Sequence, residues 1–195
     1  MTRRGGEVPP LPAAVLPRVV CMAAALAAVA LAACSTLPPP APVAGEALSG
    51  RLALRVDATG QASSKAFSAA FDLRGDATAG TLGLSTPLGS TLAEARWSPA
   101  EVVLATPQGT RRFASLDELT REALGESVPI EAWFDWLRGR PWPGAPSEPA
   151  PELREGFAQL GWRVDLGSFA ADGSLAAIRS VPPPTVTVRI RLDRS

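Results

Sequence analysis

Few side chains in this 195-residue sequence could do covalent or proton-transfer chemistry, and the missing ones narrow the field first. There is no histidine, so the commonest general acid–base group and the commonest metal ligand are both absent. A nucleophilic serine would need another base. The sole lysine, Lys65, follows Ser63 and Ser64 at what reads as the start of a strand, and no second motif accompanies them. Asp117-Glu118 comes nearest to a carboxylate pair, but it reads as favourable charge at a helix N-terminus. Gly80-Thr81-Leu82-Gly83 reads as a strand with a weak interior, not a phosphate loop. Two cysteines without histidine cannot supply a structural zinc site. The expectation is a protein that is not an enzyme and carries no cofactor or metal. With 19 basic and 19 acidic side chains, nothing in the charge balance points to nucleic acid.

The chemistry that does suggest itself is done to the chain, not by it. Arg3, Arg4 and Arg18 precede an apolar run from Val19 to Leu31, too short against the roughly 20 residues that span a bilayer. The run ends Leu31-Ala32-Ala33-Cys34: an aliphatic residue, two small residues and a thiol. This is a lipobox, in which Cys34 receives diacylglycerol and, after cleavage, further acylation such as palmitate. An uncleaved anchor and an ordinary A-x-A cleavage site are the alternatives. Residues 1–33 are therefore expected to be a signal peptide, leaving a body with 16 basic and 18 acidic side chains. Cys21 would leave with the signal, so no internal disulfide is expected. Ser35 directly after the cysteine, instead of aspartate, favours the outer membrane of a Gram-negative cell. Residues 34–48 include Pro38-Pro39-Pro40-Ala41-Pro42 and read as a stiff tether, with residues 49–195 as one folded domain.

Within that domain, apolar and polar residues alternate with period two. Leu52, Leu54 and Val56 form one set; Phe67, Ala69, Phe71 and Leu73 a second; Leu82 and Leu84 a third. Trp162, Val164 and Leu166, then Val186, Val188, Ile190 and Leu192, follow later. These predict half-buried antiparallel strands in one curved sheet or barrel, with turns at Thr59-Gly60, Arg74-Gly75-Asp76, Gln108-Gly109 and Asp172-Gly173. Two helices interrupt them. Ser115-x-x-Glu118 opens the first and Gly125 stops it; Pro129 starts the second, whose stripe is Ile130, Trp133, Phe134 and Leu137, with Gly139 as its end. They read either as cover for a closed core or as a lid over a lipid-sized cavity. Between Leu84 and Thr91, Pro87 and Gly89 set a tight connection around Leu88. That leucine either folds back into the core or protrudes as an apolar tip.

The lipobox, the block Leu82-Gly-Leu-Ser-Thr-Pro-Leu-Gly-Ser-Thr91, the helix pair ending Trp136-Leu-Arg-Gly139 and Gly161-Trp-Arg-Val164 occur in this order. Together they resemble the LolB family of outer-membrane lipoprotein receptors over about residues 49–192. The resemblance implies a mainly β fold: a half-open, strongly curved antiparallel β-barrel of the LolA/LolB kind, with a helical lid and a hydrophobic cavity. It implies a lipid-anchored monomer on the outer membrane, facing the periplasm. Such a protein takes cargo lipoproteins from the carrier LolA by their acyl chains and inserts them among the phospholipids of the inner leaflet. The family's protruding leucine falls on Leu88, making Pro87, Leu88 and Gly89 the membrane-insertion loop. Alternation and resemblance together nominate Leu52, Leu54, Phe67, Phe71, Leu82, Leu84, Trp133, Trp136, Leu137 and Trp162 as cavity residues. Two departures stand out: the aromatic pair on the second strand reads Phe71-Asp-Leu73, and the C-terminus lacks a closing tryptophan. The competing expectation is a structural or assembly lipoprotein with a closed β-domain that binds a protein partner.

Overall fold

The structure is a computed structural model; it describes residues 45–60 and 63–193, all within the compact unit Pro42–Ser195. Cys34, the signal segment and most of the tether lie outside the described residues. Eleven strands form one antiparallel sheet: β1 (Glu46–Val56), β2 (Lys65–Gly75), β3 (Gly80–Ser85), β4 (Thr91–Trp97), β5 (Val102–Thr106), β6 (Gly109–Phe113), β7 (Ser147–Pro149), β8 (Gly156–Gln159), β9 (Trp162–Asp165), β10 (Ser174–Arg179) and β11 (Val186–Leu192). Their order across the sheet is β6-β5-β4-β3-β2-β1-β11-β10-β9-β8-β7. The sheet does not close, and β6 and β7 are its free edges. β1 begins at Glu46, inside the stretch that composition assigns to the tether.

The centre of the sheet follows from the alternation. In the β1–β11 register Leu52 faces Ile190, Leu54 faces Val188 and Val56 faces Val186, and all six are buried. The intervening Arg51, Ala53, Arg55 and Arg189 are exposed, so one face of the ladder is apolar and the other wet. On β2 the inward positions are Ala69, Phe71 and Leu73.

The chain between the two edges carries the helices. It leaves β6 at one edge of the sheet and enters β7 at the other, so helix α1 (Leu116–Leu124) and helix α2 (Ile130–Trp136) lie on the connection between the two edges. Their apolar residues share one buried cluster with inward side chains from β1 to β5 and from β8 to β11. A third, one-turn helix α3 (Phe169–Asp172) occupies the place where Asp172-Gly173 suggests a simple turn, and Gly173 ends it at φ 71°.

Candidate functional site

The two helices are set by local chemistry that the sequence displays. The Ser115 hydroxyl accepts the Glu118 N–H at 3.1 Å and caps α1. The Glu118 carboxylate reaches back to the N–H of Ala114 at 2.6 Å, one residue earlier than the usual capping-box partner. Gly125 ends α1 at φ 84°, its N–H bonded to the Arg121 carbonyl, a conformation that a residue with Cβ resists. Pro129 takes the N-cap position of α2, not its first helical position. In α2 Glu131 is half-buried, and Ile130, Ala132, Trp133, Phe134, Asp135 and Trp136 are all inside. A helix buried on nearly every side is an interior element, so α2 is more enclosed than a surface cover with one apolar stripe.

The faces of α2 do different things. On one side, Trp133 borders a pocket of about 400 Å³ whose lining is almost wholly apolar. Leu52, Leu54, Phe67, Leu82 and Leu84 from β1 to β3 form its floor, and Leu92, Ala93, Ala95 and Leu104 from β4 and β5 form one wall. Leu119, Ala123, Leu124, Val128 and Ile130 close it from the helix side. Its two hydroxyls belong to Thr106 and Thr120. The Thr120 hydroxyl already donates to the Asp117 carbonyl (3.2 Å) and accepts the Val128 N–H (3.1 Å), so it asks nothing of an occupant. The pocket is open to solvent where Leu92 and Ala123 are exposed.

On the other side, aromatic rings pack together. The Trp136 ring packs edge-on against Phe157 at 6.3 Å and tilted against Trp162 at 6.4 Å. Its indole N–H donates to the Gln159 side chain. Of the ten residues nominated by alternation and resemblance, the structure thus brings Leu52, Leu54, Phe67, Leu82, Leu84 and Trp133 to the pocket. Phe71, Trp136, Leu137 and Trp162 are buried in the same core but do not border it. Leu92, Ala93, Ala95 and Leu104 line it without having been nominated, because β4 carries alanines inward and shows little hydrophobic alternation.

The loop after β3 resolves the two readings of Leu88. The Thr86 carbonyl accepts the Gly89 N–H and the Thr86 N–H donates to the Ser90 carbonyl, both at 2.9 Å, closing a tight turn. Gly89 sits at φ 85°. At the tip, Leu88 is 95% exposed, the most exposed large apolar side chain among the described residues. Antiparallel order puts this turn at the same end of the sheet as Leu84 and Leu92 of the pocket.

Titratable groups are sparse here. Glu131, in the first turn of α2, has its carboxyl raised above the ordinary range, chiefly by burial, with a backbone hydrogen bond opposing it and Asp117 adding repulsion. No cluster of three or more metal-ligating side chains occurs among the described residues. Lys65 begins β2 as expected and is exposed.

Comparison with known proteins gives the family. A family model described as outer membrane lipoprotein LolB matches residues 47–194. The chain is 33% identical over 170 residues to the outer-membrane lipoprotein LolB of Bordetella pertussis, covering 83% of this chain and 85% of that protein. The Bordetella petrii protein of the same name is 33% identical over 184 residues, covering 89% and 91%. That of Ralstonia nicotianae is 40% identical over 96 residues, covering 47% and 46%.

Proposed function

The chain belongs to the LolB family of outer-membrane lipoproteins, which localise lipoproteins and are not enzymes, and on that premise we propose a receptor that passes lipoproteins into the membrane. It takes them from the periplasmic carrier LolA, shelters their acyl chains in the pocket under α1 and α2, and releases them into the inner leaflet of the outer membrane. Cys34, lipidated, holds the domain at that membrane on its periplasmic side. The carrying observation is the pocket, whose volume of about 400 Å³ and apolar lining suit hydrocarbon.

The energetics are those of the hydrophobic effect. Each methylene kept out of water contributes about 0.8 kcal/mol, so an acyl chain cannot be released into the periplasm between carriers. A site without unpaired polar groups discriminates little among cargo, which suits a receptor for many lipoproteins. Transfer from carrier to receptor then needs only stronger binding at the second site, about tenfold for every 1.4 kcal/mol. A closed β-domain that merely docks a protein would gain nothing from an open apolar pocket. Leu88 supports the last step: an exposed leucine on a pinned turn leaves apolar surface in water that entering lipid would remove.

The test is a transfer assay. Purified Pro42–Ser195, which contains the whole described core, is mixed with LolA carrying an acylated lipoprotein. The expected result is cargo bound to the domain; cargo that stays on LolA at every ratio would sink the proposal.

A further inference from the structure

Ten arginines lie on the described strands, and seven of them sit against a carboxylate. Arg55 meets Asp57 at 2.8 Å, Arg112 meets Glu101 at 3.2 Å, and Arg96 meets Glu94 at 3.4 Å. The three without any such partner among the described residues are Arg51, Arg189 and Arg191, and they are neighbours. Arg51 and Arg191 stand directly opposite each other in the β1–β11 register, and Arg189 is opposite Ala53, two positions along. All three are exposed on the outer face of the sheet. Like charges directly opposite across an antiparallel pair repel, so the fold retains an unfavourable contact that one acidic residue would relieve. The surrounding outward residues are small, among them Ala53, Ser68, Ser174 and Ala176, so the guanidinium groups border a shallow hollow open to a flat partner. The nearby carboxylates accept hydrogen bonds from neutral donors: Asp165 from the Gly167 N–H at 2.9 Å, Asp172 from the Ser174 N–H at 3.0 Å and Asp193 from the Ser49 hydroxyl at 3.2 Å.

The position of this face identifies its occupant. Pro87, the residue before the exposed Leu88, borders one hollow together with Arg51, Ser68 and Ala70. The arginine face and the apolar tip are therefore adjacent, on a domain whose overall balance is slightly acidic. We propose that Arg51, Arg189 and Arg191 bind the phosphates of membrane lipid headgroups while Leu88 enters the apolar layer beneath them. Guanidinium groups match phosphate in charge and in donor geometry. The proposal shares with the functional reading the premise that Leu88 meets the bilayer, but it does not depend on the acyl pocket.

The experiment is vesicle co-sedimentation of Pro42–Ser195 with phosphatidylcholine alone and with phosphatidylcholine containing phosphatidylglycerol. The unmodified domain prefers the anionic vesicles, and salt weakens that preference. Each basic group near an anionic surface contributes roughly fivefold, so R51Q/R189Q/R191Q lowers anionic binding on the order of a hundredfold. Its binding to neutral vesicles falls less, because each phosphatidylcholine phosphate carries its own choline cation. L88E weakens binding to both. If L88E keeps neutral binding, the loop premise fails while the arginine comparison still stands. A triple variant that retains the full anionic preference overturns the proposal. So does one that keeps the preference but loses capture of cargo from LolA, which would make this a protein-docking face. Should the triple variant melt early, R189Q alone, which removes no directly opposed pair, gives the roughly fivefold loss or its absence.

Discussion

The indole N–H of Trp136 donates to Oε1 of Gln159 at 2.8 Å, fastening the end of α2 to β8 in the aromatic half of the core. Gln159 is 3% exposed and spends its whole amide there. The same oxygen accepts the Trp142 N–H at 2.9 Å, and its nitrogen donates to the carbonyls of Trp142 (2.7 Å) and Ala145 (2.8 Å). Gln159→Leu therefore strands two donors and two acceptors at once. The expected loss is about 2–4 kcal/mol, read from urea unfolding, since each unsatisfied buried group costs about 1–3 kcal/mol. A loss within experimental error would mean that packing of the Trp136 ring alone holds α2.

A second tie crosses the core. Arg179, 8% exposed, meets Glu126 in the link between α1 and α2, stands 5.8 Å over the Trp162 ring, and leaves its Nε without a partner. Glu126→Ala abandons that guanidinium inside, and a loss of about 3 kcal/mol is expected by urea unfolding. In E126L/R179M both charges are gone and most of the stability should return. Equal losses in the single and double variants would show that the charges themselves are not at issue.

Glu131 supplies a pH dependence. Burial raises its carboxyl above the ordinary range, so the folded state holds this proton more tightly than the unfolded chain does. Its penalty is absent below the unfolded value, grows as pH rises toward the folded one, and is complete above it. Glu131→Gln should accordingly raise Tm near neutral pH and have no effect in acid. Thermal melts across that range check it; an effect of the same size at every pH would contradict the assignment.

Leu88 touches little, so Leu88→Glu should change stability by less than about 0.5 kcal/mol. Cargo capture from LolA should survive, while release of that cargo into liposomes should fall. Unaltered delivery by L88E would remove the loop from the mechanism.

How much of this was legible depended on side-chain size. β1, β2 and β11 announce themselves because Leu, Phe, Val and Ile alternate with Arg and Ser, a contrast only a half-buried strand needs. β4 and β10 place Ala95 and Ala177 at inward positions, and β7 and β8 are too short for a period to show. The helices were readable at Ser115 and Gly125, where capping is a local matter. Their depth was not, because the stripe of α2 gives no sign that Ala132 and Asp135 are buried too. The pocket was half visible for a related reason. Hydrophobicity singles out large residues such as Trp136 and Trp162, which fill space, whereas a cavity persists where residues are small, as at Ala93, Ala95 and Ala123. Strand order, which a local pattern does not encode, decides that Trp133 faces the void and Trp136 faces Gln159.

That division gives the most direct measurement of the central claim, that acyl chains occupy the pocket between the helices and the sheet. Ala93 lies opposite Leu84 in the β3–β4 register, lines the pocket and is only partly buried, so Ala93→Trp can fill the void without dismantling the core. The variant and the unmodified domain are compared for capture of an acylated lipoprotein from LolA, with thermal melts in parallel. The expected result is a normal melt and a capture yield reduced about tenfold or more, as loss of even two buried methylenes implies. Undiminished capture by a folded Ala93→Trp domain would place the acyl chains elsewhere and contradict the claim.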